Sequence, residues 1–580
     1  MHPLNQSFEI PALQDWQERV NKDLKGRDFE RTLVTRTLEG LKIQPLYTQA
    51  PSAPVELPGQ APYRRGATAL GGTRDLWEMR QPASTAAHAE EALRLGASAV
   101  AVSDPADLQA ILGAVDSKLA PVHLHGPASQ SAEQALDWGL NGGLGISVAT
   151  DLARDGGLPQ SLDDSWKRAS WALGAVPAGT LALAVDGSVF HHAGADEASD
   201  IALTLAAVAE SLRTLETLGH APEQVLAATE LRVALDARML LSIAKLRALR
   251  LCWSQLARAC GADVPPRIHA QLSARVQTRR DVWVNILRNS VAVFAGAVGG
   301  AQAISSLPFA DCATEDDQRL ARRIARNTQL VLAQESHLAR VMDPAGGAYA
   351  LETWTQELAQ AAWKQFQAIE GAGGLVASLE KGRIQNALQA VSSQRQSRIA
   401  SRAQAITGVS EFPLAGERRP ELRPEPAPLP QPAHAQVQAV HPLRDSAVYE
   451  ALRDHADRTE DRGILMACIG SPAAYSARLG FASNLVQAGG FEPVPLPITL
   501  ENANQVIAQG GCSRVVLCGS DADYERVAAP LSQLLGQLGV RTVFLAGKPP
   551  PDPENWPDLG GYMYHRCDAL SVLRKLWGLA

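Results

Sequence analysis

Short apolar runs recur along the first half of the chain with helical stretches between them, and this alternation limits the fold more than any other feature. Residues 77–81 read as a short strand, and residues 84–95 as a helix with Ala86, Ala89 and Leu93 on one face. Residues 97–102, 121–125, 144–148 and 181–185 follow as buried strands. Alanine- and leucine-rich stretches at 197–218 and 223–260 read as long helices of an outer ring. Strands alternating with helices require a parallel sheet, because each crossover returns the chain to the same edge direction. This many units over some 300 residues predict a closed (β/α)₈ barrel.

A second α/β pattern lies beyond a linker. Residues 413–443 hold eight prolines, Pro413, Pro420, Pro424, Pro426, Pro428, Pro430, Pro432 and Pro442, a density that excludes a packed helix. Residues 463–469, 515–518 and 540–545 then read as strands, and 473–488 as a helix ending at Gly489-Gly490. Leu570, Val572, Leu573, Leu576 and Trp577 give the last helix an apolar face. The pattern predicts a small doubly wound sheet of flavodoxin-like size. The predicted organisation is an N-terminal arm (1–40), a barrel with flanking helices (41–412), the linker (413–443) and the second α/β domain (444–580). Residues 40–75 read as an extended connection. In the arm, Leu13, Trp16, Val20 and Leu24 form an apolar stripe stopped by Gly26. The stripe docks either on its own domain or on a partner subunit.

Composition narrows the function classes. The net charge is −7, from 54 Lys+Arg against 61 Asp+Glu, so nothing favours a nucleic acid or an anionic membrane. Seven scattered cysteines make no disulfide framework and no zinc-type pair, which fits a reducing cytoplasm. Residues 1–7 do not read as a signal peptide, and no apolar run reaches the roughly 18 residues of a membrane helix.

The stretch Arg322-Arg323-Ile324-Ala325-Arg326-Asn327-Thr328-Gln329 continues through Gln334-Glu335-Ser336-His337 to the turn Asp343-Pro344-Ala345-Gly346-Gly347-Ala348-Tyr349. Ile324, Leu330, Val331 and Leu338 recur at helical spacing, and Pro344 with Gly346-Gly347 ends the helix in a turn. As a string, this stretch resembles the cobalamin-dependent acyl-CoA mutases, of which methylmalonyl-CoA mutase is the main member. The resemblance extends to Lys245-Leu246-Arg247-Ala248, Arg267-Ile268-His269-Ala270-Gln271, Asn285-Ile286-Leu287-Arg288 and Gly299-Gly300-Ala301-Gln302, in the same order. The layout of barrel, proline-rich linker and flavodoxin-like domain is also the family's.

The resemblance implies three sets of chemical groups, and each is replaced in this chain. The family's cobalt ligand is the histidine of Asp-x-His-x-x-Gly. Here that motif falls on residues 473–478, with Tyr475 at the ligand position, Ala473 at the carboxylate and Arg478 at the glycine. A later Gly-Gly turn becomes Ala546-Gly547 followed by Lys548-Pro549-Pro550. A Tyr-His pair that holds the thioester and the adenosyl group falls on Ser188-Val189, and valine can neither donate nor accept a proton. An Arg-Gln-Tyr run falls on Arg80-Gln81-Pro82, so the phenol is lost. The positions left for a residual pocket are Arg80, Gln81, His269 and Gln271. No metal site is expected, and His191, His192 and His565 are the nearest alternative histidines.

These replacements imply the small, non-catalytic subunit of a heterodimeric mutase. Its large-subunit partner would hold adenosylcobalamin and the acyl-CoA substrate, and this chain itself would bind no cofactor. Two rivals are an acyl-CoA-binding barrel enzyme working without a corrinoid through His191, His192 or His269, and an interaction protein that protects a mutase. The second rival lacks any Walker-type phosphate loop.

Overall fold

The computed structural model describes residues 11–51, 56–68, 77–414, 416–424, 435–550, 556 and 559–579. The first ten residues, four of the eight linker prolines and part of the 40–75 connection lie outside this set. Eight parallel strands form the first unit: β1 (Glu78–Pro82), β2 (Ala99–Val102), β3 (Val122–Leu124), β4 (Gly142–Ile146), β5 (Leu181–Asp186), β6 (Thr229–Leu235), β7 (Arg267–Leu272) and β8 (Ala303–Ser305). They pair in sequence, and β8 pairs with β1 to close the barrel. The outer faces carry the apolar core. Val100, Val102, Leu231, Val233, Leu235 and Ile268 pack against the helix ring there.

One sequence expectation fails in an informative way. Residues 223–260 are not one helix. A short helix (Pro222–Ala227) leads into β6, and only Met239–Ala259 is the long helix. The β6 side chains alternate, with Leu231, Val233 and Leu235 facing the helices and Glu230 and Arg232 facing the barrel interior. Charged residues at every second position of an otherwise apolar run imitate an amphipathic helix in sequence. The strand expected at 144–148 lies two residues earlier, at Gly142–Ile146, and Val148 already opens a helix.

The stretch at 322–349 clamps the barrel from outside. Helix Glu315–Leu330 passes into a π-helical turn (Val331–Glu335), and Gln329 Oε1 accepts a 2.9 Å bond from Trp77 Nε1 just before β1. In the turn that follows, Asp343 pairs with Arg247 and accepts from Arg65 Nε at 3.0 Å. Glu352 Oε1 takes Arg247 Nη2 at 2.6 Å and the Gly347 amide at 3.1 Å. Two of the resemblance motifs therefore meet here for structural reasons.

The second unit is a parallel sheet of β9 (Gly463–Cys468), β10 (Glu492–Pro497), β11 (Arg514–Cys518), β12 (Thr542–Leu545) and β13 (Leu559–Tyr562), in the order β10-β9-β11-β12-β13. That is the flavodoxin-like order. The sequence reading misses β13, and of β10 it gives only the start, at Gly490-Phe491. Pro493, Pro495 and Pro497 argue against a strand, but β10 is an edge, where a missing N–H costs no ladder bond. The linker is pinned back on the barrel, with Val437 N donating to Gly156 O at 3.0 Å and Leu443 N to His192 O at 2.8 Å.

The arm is a helix, Leu13–Leu24, of which only Leu24 is buried. Trp16 touches Phe29 edge-on at 6.3 Å and is otherwise half open, and Leu13 is 46% exposed. Lys25 in the left-handed region (φ 51°) begins the stop that the sequence placed at Gly26. Among the described residues the stripe is covered only at its end: Leu24 is buried, Trp16 and Val20 are half-buried and Leu13 is exposed.

Candidate functional site

A barrel of this size is filled by inward-pointing side chains, usually branched aliphatic ones in layers. Here the interior is ionic. Arg80 from β1 is wholly buried and grips Glu230 from β6 with two contacts, Nη1 to Oε2 at 3.0 Å and Nη2 to Oε1 at 2.8 Å. Arg80 also binds Glu78 Oε1 at 2.7 Å, and its Nη1 lies 3.1 Å from His269 Nδ1. Arg232 donates to Glu230 Oε2 at 3.0 Å and to Leu124 O at 2.9 Å. His269 Nε2 lies 2.8 Å from Ser305 Oγ, and His123 Nε2 lies 3.0 Å from Glu78 Oε1.

Two glycines on β4 make room for this network. A Cβ at Gly143 would stand 2.9 Å from His123 Nδ1, and one at Gly145 (φ 67°) would stand 3.2 Å from Arg232 Nη2. Burial alone would raise the Glu78 and Glu230 carboxyls, but the neighbouring Arg80 outweighs it and holds both well below the usual range. Burial drives His123, His125 and His269 the other way for a base, so they stay neutral.

Of the positions left for a residual pocket, Arg80 and His269 belong to this network and are fully buried. Gln81 faces outward, where its Oε1 accepts from Arg326 Nη1 at 3.3 Å. Gln271 Nε2 is buried without a hydrogen-bond partner. Arg80, His269 and Gln271 sit at inward positions of β1 and β7, and Gln81 points the other way. The sequence reading missed Glu230 and Arg232 because it placed them on a helix. The alternation of Glu230 and Arg232 between Leu231 and Val233 was the signal that could have found them.

The Ser188 hydroxyl caps Asp186, with Oγ to Oδ1 at 2.5 Å, and Val189 lies in the apolar core. His191 and His192 diverge. His191 is buried, with Nε2 2.8 Å from Ser273 Oγ and Nδ1 3.5 Å from Asp200 Oδ2. His192 Nε2 accepts the Ala274 amide at 3.2 Å and borders a cleft, and burial pushes it down to about 4. His191, Glu197 and Asp200 converge as metal ligands would, but the Lys245 ammonium already sits on both carboxylates, 2.7 Å from Glu197 Oε2 and in contact with Asp200.

In the second domain, ligands of such sheets bind in the crevice beyond the carboxyl ends of the strands. Tyr524 fills it. Its hydroxyl accepts the Gly519 amide at 2.9 Å and donates to Ala546 O at 2.9 Å. Arg478 lies over its ring at 4.8 Å and binds Gly519 O at 2.7 Å and Asp521 Oδ1 at 2.5 Å. Tyr475 sits in the first turn of helix Pro472–Ala488 and packs on the domain core, while Ala473 is exposed. Of the two histidines at 444–580, His455 packs on Trp577 at 5.0 Å and His565 is exposed. Among the described residues no imidazole stands at the position that the resemblance gives to the cobalt ligand, and Tyr475 there supplies no matching donor to cobalt.

A closed eight-stranded barrel joined by a proline-rich segment to a flavodoxin-like sheet is the class of architecture that the sequence motifs implied. Residues 158–488 match the family model described as methylmalonyl-CoA mutase. A methylmalonyl-CoA mutase small subunit of Streptomyces virginiae is 37% identical, over 96% of this chain and 93% of its own length. The small subunit of Propionibacterium freudenreichii subsp. shermanii is 32% identical, over 93% and 90%, and a probable small subunit of Mycobacterium bovis 35%, over 91% and 89%. The chain belongs to the methylmalonyl-CoA mutase family.

Proposed function

We propose that this chain is the non-catalytic small subunit of a heterodimeric, adenosylcobalamin-dependent methylmalonyl-CoA mutase, in the cytoplasm. Its large-subunit partner holds the cofactor and the acyl-CoA and interconverts methylmalonyl-CoA and succinyl-CoA. The observation that carries this reading is the ionic network across the barrel axis. Arg80, Glu230, Glu78, Arg232 and His269 saturate one another where a substrate would have to thread. Threading it would strip partners from buried charges, and each broken pair costs about 3–5 kcal/mol. Pro82, Ser188, Val189 and Tyr475 support the same reading, since none supplies the group that the family places there.

The contribution of this chain is then mechanical. It buries surface against the large subunit and stabilises it, as obligate interfaces of about 2,000–5,000 Å² do. The rival of a corrinoid-free barrel enzyme loses two of its three bases, because His191 and His269 are buried and engaged, and the third, His192, has its Nε2 taken by the Ala274 amide. Reconstitution tests the proposal. The purified chain alone should not isomerise methylmalonyl-CoA with added adenosylcobalamin, and mixing with a large subunit should give an active heterodimer. Turnover by the chain alone, or no association with the large subunit, contradicts the reading.

A further inference from the structure

A large cavity lies at the mouth of the barrel, between the loops after β7 and β8, the helix Arg383–Ala400 and the start of helix Ala569–Trp577. Its volume is about 1640 Å³. Seven arginines line it against two aspartates, Asp311 and Asp568, and no glutamate. The chain as a whole has the opposite balance, 54 basic to 61 acidic residues. The excess is therefore local.

Pairing uses part of this charge: Arg275 faces Asp236 and Asp445, Arg322 binds Glu315 at 2.6 Å and Arg444 binds Glu450 at 2.7 Å. Arg566 and Arg574 are exposed and have no ion pair with any described residue. Arg423, on the opposite wall and 54% exposed, reaches its nearest carboxylate, Asp311, only at 3.8 Å. Arg566 is also held at φ 67°, a backbone conformation uncommon for any residue with a Cβ. Clustered guanidiniums repel one another, and the planar fork of each matches phosphate oxygens two at a time. The rest of the wall is apolar, with Leu307, Phe309, Leu422, Leu443 and Leu570. A cationic rim over an apolar wall is complementary to an organic body that carries several phosphates.

We infer that this cleft is a binding site for a phosphorylated organic anion of the nucleoside triphosphate class. Arg566, Arg574 and Arg423 would hold the phosphates, and the apolar wall the organic part. The inference does not depend on the barrel being non-catalytic, and its failure leaves that proposal untouched.

Calorimetric titration of the full-length chain with adenosine triphosphate, inorganic tripolyphosphate and adenosine tests it. The triphosphate should bind saturably and more tightly than either part, and added salt should weaken it. Arg566→Gln with Arg574→Gln should weaken it at least about tenfold at an unchanged melting temperature, and Arg423→Gln should weaken it in the same direction. Arg526→Gln with Arg541→Gln removes the same charge from exposed positions outside the cleft and should leave binding as it was. Absence of saturable binding, equal loss in the control pair, or tripolyphosphate binding as tightly as the nucleotide overturns the inference.

Discussion

Arg80 on β1 and Glu230 on β6 face each other across the barrel axis and meet through two nitrogen–oxygen contacts of 2.8 and 3.0 Å. The two strands lie three apart around the closed sheet, so the pair ties walls that share no ladder bonds. Its partners Glu78, Arg232 and His269 come from the same two strands and from β7.

Breaking one half of this pair should be expensive. Arg80→Met leaves Glu230 buried with one cation fewer, and Glu230→Leu leaves Arg80 likewise. Each should cost about 3–5 kcal/mol of stability in urea denaturation. The double variant should recover much of that loss, because two apolar groups need no partner. Losses that simply add in the double variant would show that the two side chains do not act as a unit.

Acid should destabilise the chain between about pH 6.5 and pH 5. Burial holds His123, His125, His191, His192 and His269 below the ordinary histidine value in the folded state, His192 at about 4. A base with a depressed folded pKa gives stability that is present above the unfolded value, near 6.5, and lost as pH falls. Asp151 and Asp200 work the other way, since burial raises them to about 7 and about 6. Burial also raises Asp196, Glu210, Glu357 and Asp445, but the five histidines each take up a proton in the unfolded chain within this window, so the melting temperature should drop from pH 7 to pH 5. A melting temperature that rises instead would contradict the neutral histidines.

The arm should act on a partner and not on this fold. Trp16→Ala removes a side chain that touches Phe29 while most of its helix stays exposed. Stability should change by less than about 0.5 kcal/mol. Affinity for the large subunit, read by surface plasmon resonance, should fall by about 2 kcal/mol, roughly thirtyfold. An unfolded variant with unchanged affinity would place the interface elsewhere.

The outer half of the fold was legible in the sequence, and the inner half was not. β2 and β5 announce themselves because both flanks of a barrel strand are buried and Val100, Val102 and Val185 are apolar. β6 did not, because its inward residues are Glu230 and Arg232. Charge inside a barrel is invisible until the partner from β1 is in place. β10 was hidden by three prolines that only an edge strand tolerates. The resemblance points to Tyr475, Ser188-Val189 and Pro82 as the replaced positions without geometry. It could not show that Tyr524 and Arg478 occupy the crevice of the second domain, since both contacts depend on the fold of loops after β11 and β12.

Restoring the ligand alone should not restore chemistry. Tyr475→His places an imidazole in a helix turn packed on the core, while Tyr524 and Arg478 still fill the crevice. On the proposed reading Pro82, Ser188 and Val189 each lack a contact to the transition state, and one such contact is worth about 2.7–4 kcal/mol. No isomerase turnover above background should be measurable for this variant without a partner.

The most direct measurement is a visible-absorption titration of the isolated full-length chain with adenosylcobalamin. The account predicts a spectrum that remains that of the free cofactor at every protein concentration. Saturable micromolar binding, with the spectral signature of a histidine coordinated to cobalt, would contradict it.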